Sequence, residues 1–309
     1  MPSPRISAIQ HFFCGLAIGA ADAVPGISGG TVALILGIYR RLVEAISQVN
    51  LEAFRLLRER QWRSLAQRFD AGFLAMLLAG IICGLLTFIS IMHELIGEPD
   101  HPAATRPFVY AIFFGAIAGS SYLVARMIHT TGRRHTQVCI AGAMVGALFA
   151  WWLTGLPALE AFSTAPNPLV SFLLGAIAIS AMILPGISGS YLLLIFGAYH
   201  YYSGIPKNLA KGHIFWPDIW TAACFAVGCL VGLLTFSKIL KWLLREHEAI
   251  TLAVMGGFMI GALRKLWPWQ GDEIEPPLSY EPALCILLMI AAAITVIVID
   301  LIARPKIKE

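Results

Sequence analysis

Long apolar stretches that recur along the whole chain are the feature that most limits how it can fold. A helix that crosses the hydrocarbon core of a bilayer, roughly 30 Å thick, needs about 20 apolar residues. Six stretches approach or exceed this length: 71–95, 107–127, 137–156, 219–243, 249–263 and 283–302. Because 58% of the residues are hydrophobic and only 13% are charged, the chain lies outside the usual range of soluble domains. We therefore expect an all-α, multi-pass membrane protein.

Two further apolar regions are each interrupted by the same five residues, Pro-Gly-Ile-Ser-Gly. The first copy lies in "AVPGISGGTVALILGIY" and the second in "ILPGISGSYLLLIFGAY". Pro and Gly break helices, and a membrane protein tolerates the freed backbone groups only where protein or a polar cavity surrounds them. We therefore predict two broken, re-entrant helical hairpins. The breaks fall at Pro25 and Gly26 and at Pro185 and Gly186.

The repeat extends beyond the interruptions. The sequence "GLLTF" occurs at 84–88 and again at 232–236. Each half thus contains one hairpin followed by three spans, which divides the single membrane domain into a first repeat, 1–156, and a second, 157–309.

The distribution of Lys and Arg predicts the orientation. With both termini in the cytoplasm, most of the 22 basic residues face the cytoplasm, as the positive-inside rule requires. The outer side then receives only Arg106, Lys207, Lys211, Arg264 and Lys265. Since three spans are an odd number, the second repeat would be inverted relative to the first. Inverted repeats with broken helices are typical of transporters.

The residues that follow each break are suited to bind an anion. The start of a helix offers free N–H groups and the positive end of the helix dipole, and hydroxyl groups lie beside them. We predict one phosphate or carboxylate site built from both loops: Ser28, Gly29, Gly30 and Thr31 with Ser188, Gly189 and Ser190. The alternative is that the glycines permit close packing and the serines cap the helices.

Three charged residues extend this prediction. Asp22 precedes the first break, and a carboxylate in an apolar segment is costly and usually functional. Two roles stay open for it: ordering the loop by accepting backbone N–H bonds, or carrying a proton during transport. Arg264 and Lys265 precede "LWPW" at the outer end of a span, where they could attract a phosphate, while Trp267 and Trp269 suit an interfacial belt.

The segment 50–70 combines apolar residues at helical spacing with five arginines. We expect one helix there, lying either along the inner membrane surface or exposed to the cytoplasm.

Other chemistries are less well supported. "GISGG" around Ser28 formally matches a serine nucleophile motif, but its flanks are apolar helix, and the second copy, "GISGS", departs from the pattern. We do not expect an enzyme, although an intramembrane serine hydrolase is one hypothesis. No cysteine pair has metal or redox spacing, so neither a metal site nor a cofactor is expected. The net charge of +4 is too small and scattered to suggest nucleic acid.

Three motifs resemble the bacterial polyprenyl-phosphate transporter family: "GAADAVPGISGGTVALILGIYRRL", "LPGISGSYLLLIFGAY" and "GALRKLWPW". The resemblance covers essentially the whole chain. It implies a translocase that returns undecaprenyl phosphate, the lipid carrier of cell-wall building blocks, from the outer to the inner leaflet of the bacterial cytoplasmic membrane. Its motif positions are Asp22, Pro25, Gly26, Ser28, Gly29, Gly30 and Thr31, then Pro185, Gly186, Ser188, Gly189 and Ser190, then Arg264 and Lys265.

The expected partners are accordingly a polyprenyl phosphate and membrane lipids, with protons as a candidate coupling ion. A charged headgroup that crosses hydrocarbon needs a polar, anion-selective cavity open sideways to the bilayer, and two opposed hairpins could supply one. The alternative function is a transporter or channel for a small soluble anion, because the same loops would serve it.

Overall fold

A computed structural model describes residues 8–22, 28–49, 51–96, 103–157, 166–210, 215–269 and 282–303. These residues form helices and short connections, with no strand among them. The first half contains α1 (Ala8–Asp22), α2 (Gly29–Ile35), α3 (Tyr39–Ser47), α4 (Leu51–Arg58), α5 (Trp62–Arg68), α6 (Ala71–Ile96), α7 (Arg106–Arg126) and α8 (Arg133–Leu153). The second contains α9 (Pro168–Ile183), α10 (Gly189–Ile195), α11 (Tyr199–Ala210), α12 (Trp216–Glu246), α13 (Glu248–Ala262), a 3-10 helix (Leu263–Leu266) and α14 (Pro282–Ala303).

Six helices in the described part of the chain are long and apolar enough to cross a membrane: α6, α7, α8, α12, α14, and α13 together with its 3-10 extension. Large apolar side chains on these helices are exposed, among them Leu86 (69%), Val145 (66%) and Leu148 (68%). Contiguous apolar surface of this kind marks contact with lipid. The all-α membrane fold and the six predicted spans are therefore confirmed.

Helix pairs within each half pack in parallel through small residues. A Cβ added to Gly15 or Gly19 of α1 would collide with a carbonyl oxygen of α6, at Leu77 and Ile81 respectively. Because both partners advance by four residues, the two helices run in the same direction. The second half contains the matching pair: a Cβ on Gly228 or Gly232 of α12 would collide with carbonyl oxygens of α9, at Phe172 and Ala176. Helices approach this closely only where side chains are small.

Two further parallel pairs join the halves. A Cβ on Gly115 of α7 would meet Met289 of α14, and the contact four residues later is between Gly119 and Ala293. The matching contacts place Gly257 and Gly261 of α13 against α8, at Ala143 and Ala147. The same packing therefore occurs twice between the halves, as it does within them.

The second hairpin is interrupted where the sequence predicts. Helix α9 ends at Ile183 and α10 begins at Gly189, and between them Gly186 has a φ of +87°. A Cβ at Gly186 would lie 2.7 Å from the Met259 nitrogen of α13, so only glycine fits. In the first hairpin α1 ends at Asp22 and α2 begins at Gly29. The predicted breaks at Pro25 and Gly26 lie outside the described residues.

The outgoing arm of each hairpin is itself divided, although the sequence analysis treated it as one segment. Gly37 (φ +71°) separates α2 from α3, and Gly197 (φ +70°) separates α10 from α11. Backbone N–H groups at both joints bond back to the ends of α2 and α10, as at a helix C-terminus that ends in a left-handed glycine. Each hairpin therefore contains three helices rather than two.

The predicted single helix at 50–70 is also divided. It forms α4 and α5, separated by a turn at Arg60, which has a φ of +54°. Trp62 at the start of α5 is 61% exposed. The position of this segment relative to the membrane surface stays a prediction.

Ion pairs surround helix α3 at the ends of three spans. Arg40 pairs with Glu248 at the start of α13, and Glu44 lies 3.5 Å from Lys241 near the end of α12. Arg41 pairs with Asp70 at 2.6 Å, directly before α6. All three span ends lie on the face that the sequence assigns to the cytoplasm, and two of the pairs connect the halves. Helix α3 thus fixes the first hairpin to both halves at this face.

Candidate functional site

The first hairpin supplies hydrogen bonds to the broken helix of the second. The Tyr39 hydroxyl donates to the carbonyl of Ile183 (2.9 Å), and the Ser28 hydroxyl donates to that of Leu184 (3.2 Å). The N–H of Gly186 donates to the Thr31 hydroxyl oxygen (2.9 Å). The last carbonyls of α9 and the following loop have no further helical turn to pair with. Protein from the other half pairs with them instead, as expected for non-helical backbone at membrane depth.

The same contacts change the roles expected for the first loop. Ser28 and Thr31 are only 2% and 1% exposed, and both hydroxyls bond to the second hairpin. A Cβ on Gly30 would lie 2.8 Å from the carbonyl oxygen of Ile183. Two of the N–H groups predicted to be free are engaged, because Gly29 donates to Asp22 and Thr31 donates to the Ser28 carbonyl. Close packing between hairpins therefore explains much of this motif.

Asp22 closes the first interruption. Its Oδ1 accepts the N–H of Gly29 at 2.7 Å, and a Cβ on Gly29 would lie 2.6 Å from its Oδ2. A carboxylate at this position interacts favourably with the positive dipole end of α2 and connects the two ends of the break. The loop-ordering role has a direct contact in the structure.

The second loop has no such carboxylate. Met182 occupies the position that corresponds to Asp22, with its Cβ 3.3 Å from the point where a Cβ on Gly189 would lie. Ser188 is half-buried and Ser190 is exposed, and their hydroxyl oxygens are 2.8 Å apart. The second interruption therefore presents two polar hydroxyls, whereas the hydroxyls of the first are buried between the hairpins.

Tyr191 connects these hydroxyls to the basic pair at the end of α13. It follows Ser190 in α10, and its hydroxyl donates to the carbonyl of Thr154 after α8 (2.9 Å). The Lys265 ammonium lies 4.4 Å from the centre of the Tyr191 ring, a cation–π contact. The structure thus brings Lys265 close to the second loop, two motifs that lie far apart in the sequence.

Arg264 contacts the end of α8. Its Nη1 donates to the carbonyl of Trp151 near the end of α8 (3.0 Å), and its guanidinium carbon lies 4.9 Å from the Trp151 ring centre. A Cβ on Gly155 would collide with the same guanidinium. A cation at a helix C-terminus complements the negative end of the helix dipole. Arg264 therefore fixes the end of α8 beside α13, while its neighbour Lys265 faces Tyr191.

The two belt tryptophans pack beside this cluster. The rings of Trp267 and Trp269 have centres 5.2 Å apart, and Trp267 also contacts Phe114 of α7 at 5.6 Å. Both tryptophans are partly exposed, at 46% and 38%. A partly exposed pair at the end of a span fits the predicted interfacial position.

Sequence reasoning assigned no role to Arg106, which it had only counted on the outer side. In the structure α7 packs against the 3-10 helix that carries Lys265, and the charges of Arg106 and Lys265 repel each other. The available sequence signal was its place in the small set of outer basic residues.

A family model described as undecaprenyl phosphate translocase-like matches residues 18–276. The chain belongs to this family. It is 37% identical over 270 residues to a protein of Vibrio cholerae named polyprenyl-phosphate transporter, covering 87% of this chain and 81% of the relative. It is 30% identical over 258 residues to a protein of Staphylococcus aureus with the same name, covering 82% and 84%. No solved structure matches the chain significantly.

The family membership favours a transporter over an intramembrane serine hydrolase. The family and both relatives are named as transporters, which confirms the expectation that the chain is not an enzyme. The local geometry at Ser28 agrees, because its buried hydroxyl donates to a backbone carbonyl. A serine nucleophile would instead donate to a general base.

Proposed function

We propose that this protein translocates undecaprenyl phosphate from the outer to the inner leaflet of the bacterial cytoplasmic membrane and so recycles the carrier for cell-envelope synthesis. The observation that carries the proposal is the meeting of two interrupted helices within a six-span helical protein, beside Lys265, Ser188 and Ser190. The family match and the names of both relatives support the class of substrate.

The proposed topology places both termini in the cytoplasm and inverts the second repeat. The packing direction of the helices supports the inversion. Helix α13 runs parallel to α8, and only His247 separates α12 from α13. A reversal of the chain at His247 would give α12 the direction opposite to both. The Thr105 hydroxyl donates to the carbonyl of Leu95 (2.6 Å), which places the start of α7 beside the end of α6. If the spans alternate, α6 and α8 share one direction, and α12, the counterpart of α6, has the other.

The chemistry of the substrate matches the cluster at the second loop. A phosphate monoester carries between one and two negative charges at neutral pH and offers strong acceptor oxygens. Lys265 would neutralise charge, and the hydroxyls of Ser188 and Ser190 would donate hydrogen bonds. The exposed apolar flanks of the spans leave the isoprenoid tail in lipid. In this proposal the residues Ser28 to Thr31 support the second loop more than they touch phosphate, because their hydroxyls are engaged there.

Asp22 is proposed to order the first loop. Its bond to the Gly29 N–H is the supporting contact. Proton coupling through this carboxylate is a separate hypothesis, which a comparison of transport with and without a proton gradient tests.

The function can be tested in cells. Depletion of the protein should leave more undecaprenyl phosphate in the outer leaflet, measured as phosphate released from intact cells by a phosphatase that cannot cross the membrane. Lys265→Ala should reproduce the accumulation. Lys238→Ala, which removes an exposed lysine near the other end of the spans, should not. Equal release from depleted and normal cells would contradict the proposal.

A further inference from the structure

We propose that Arg106 is a second cationic binding residue for the substrate phosphate, completing with Lys265 a basic seat to which both halves contribute. This inference rests on the proposed function and deepens it. Arg106 begins α7 in the first half, whereas Lys265 and Tyr191 belong to the second. A seat of this composition suits a phosphate group with two negative charges, whether in a lipid headgroup or as free phosphate.

Arg106 and Lys265 lie close to each other. Helix α7 packs against the 3-10 helix that contains Lys265, and the two positive charges are close enough to repel. Both side chains are half-buried, so water screens the repulsion less than at an open surface. Among the described residues no carboxylate forms an ion pair with either side chain. A bound anion with two negative charges would turn this unfavourable pair into a favourable cluster.

A tyrosine ring holds each of the two cations. Arg106 lies over the Tyr110 ring, with its guanidinium carbon 5.4 Å from the ring centre and its Nη2 3.5 Å from the hydroxyl. Lys265 lies over Tyr191 in the same manner at 4.4 Å. Cation–π contacts hold a charge in place without neutralising it. Each cation therefore keeps N–H donors for a ligand.

The helix that begins at Arg106 also favours an anion at this place. Arg106 is the first residue of α7, a helix of 21 residues whose positive dipole end lies there. Tyr191, which holds Lys265 by its ring, is itself fixed by its bond to the Thr154 carbonyl. Two cations from different halves thus lie beside a helix N-terminus, an arrangement that suits a phosphate group.

The inference is tested by binding. The affinity of purified protein in detergent for a fluorescent polyprenyl phosphate is measured for Arg106→Gln, Arg106→Lys and the control Arg126→Gln. The control makes the same change at the exposed other end of α7. We expect Arg106→Gln to lower the affinity by about tenfold or more, as for one lost charge-assisted bond. Arg106→Lys keeps the charge but loses the planar guanidinium, so its affinity should lie between those of Arg106→Gln and the unsubstituted protein. Arg126→Gln should remain within about twofold of the unsubstituted protein.

Three outcomes are distinguishable. Equal affinities of Arg106→Gln and Arg126→Gln, with both variants folded by thermal melting, would overturn the inference and leave the proposed function intact. If Arg106→Lys binds no more tightly than Arg106→Gln, the inference is also overturned, because the shape of the arginine side chain would then matter and its charge would not. If the unsubstituted protein binds inorganic phosphate but no lipid phosphate, the proposed function itself fails.

Discussion

Asp22 is the residue at which the two interruptions differ most. Its carboxylate joins the ends of the first break by accepting the Gly29 N–H, whereas the second break has Met182 in the corresponding position. A carboxylate next to the first loop also disfavours an anion there. The asymmetry therefore supports the proposal that the phosphate binds at the second loop, where the hydroxyls and Lys265 lie.

This role gives a prediction for two substitutions. Asp22→Asn keeps an acceptor oxygen for the Gly29 N–H, whereas Asp22→Ala leaves that buried donor unpaired, at a cost of about 1–3 kcal/mol. Thermal melting in detergent should show Asp22→Ala melting lower and Asp22→Asn melting close to the unsubstituted protein. Transport by Asp22→Asn should persist. An Asn variant that folds normally but transports nothing would show that the charge of Asp22, and not only its acceptor oxygen, is essential.

The sequence predicted the position of the second break but not the contacts that the motif residues make. Pro185 and Gly186 identify a break because their effect on a helix is local. The bonds from Ser28 to Leu184 and from Gly186 to Thr31 join residues more than 150 positions apart, so no local pattern could reveal them. The approach of Arg106 to Lys265 likewise depends on how α7 packs.

The membrane-spanning helices were predictable because the length of an apolar stretch is enough to identify them. All six spans follow from stretches that only a membrane can accommodate. The joints at Gly37 and Gly197 were missed because a single glycine within an apolar run lowers helix stability by only about 1 kcal/mol and does not by itself mark an end. The signal was nevertheless present twice, in "LGIY" and "FGAY".

The close packing of α7 on α14 leaves no room for a side chain at Gly115. A Cβ at Gly115 would collide with the backbone of Met289, so Gly115→Ala should push the helices apart and destabilise the protein by about 1–3 kcal/mol. Gly72→Ala is the matched control, because Gly72 lies in helix α6 with no atom within 4 Å of its Cβ position. Thermal melting should fall for Gly115→Ala and stay level or rise for Gly72→Ala. An equal effect of both substitutions would contradict the proposed packing role.

In the whole molecule, two halves of similar construction surround the interruptions. Each parallel helix contact occurs twice, and the hairpins meet through hydrogen bonds between the halves. Basic residues lie at both ends of this assembly. Arg40 and Arg41 are paired with carboxylates at one face, whereas Arg106 and Lys265 lie against aromatic rings at the other. The second arrangement suits a face that receives an anionic headgroup.

We propose that this assembly moves a lipid phosphate between leaflets. The most direct test is a leaflet-resolved assay in liposomes that contain a fluorescent polyprenyl phosphate, with a quencher that cannot cross the bilayer, performed with and without a proton gradient. We expect the protein to make the protected pool of lipid accessible to the quencher, and we expect Lys265→Gln to slow this exposure while Lys238→Gln does not. Accessibility equal to that of protein-free liposomes under both conditions would contradict the proposal.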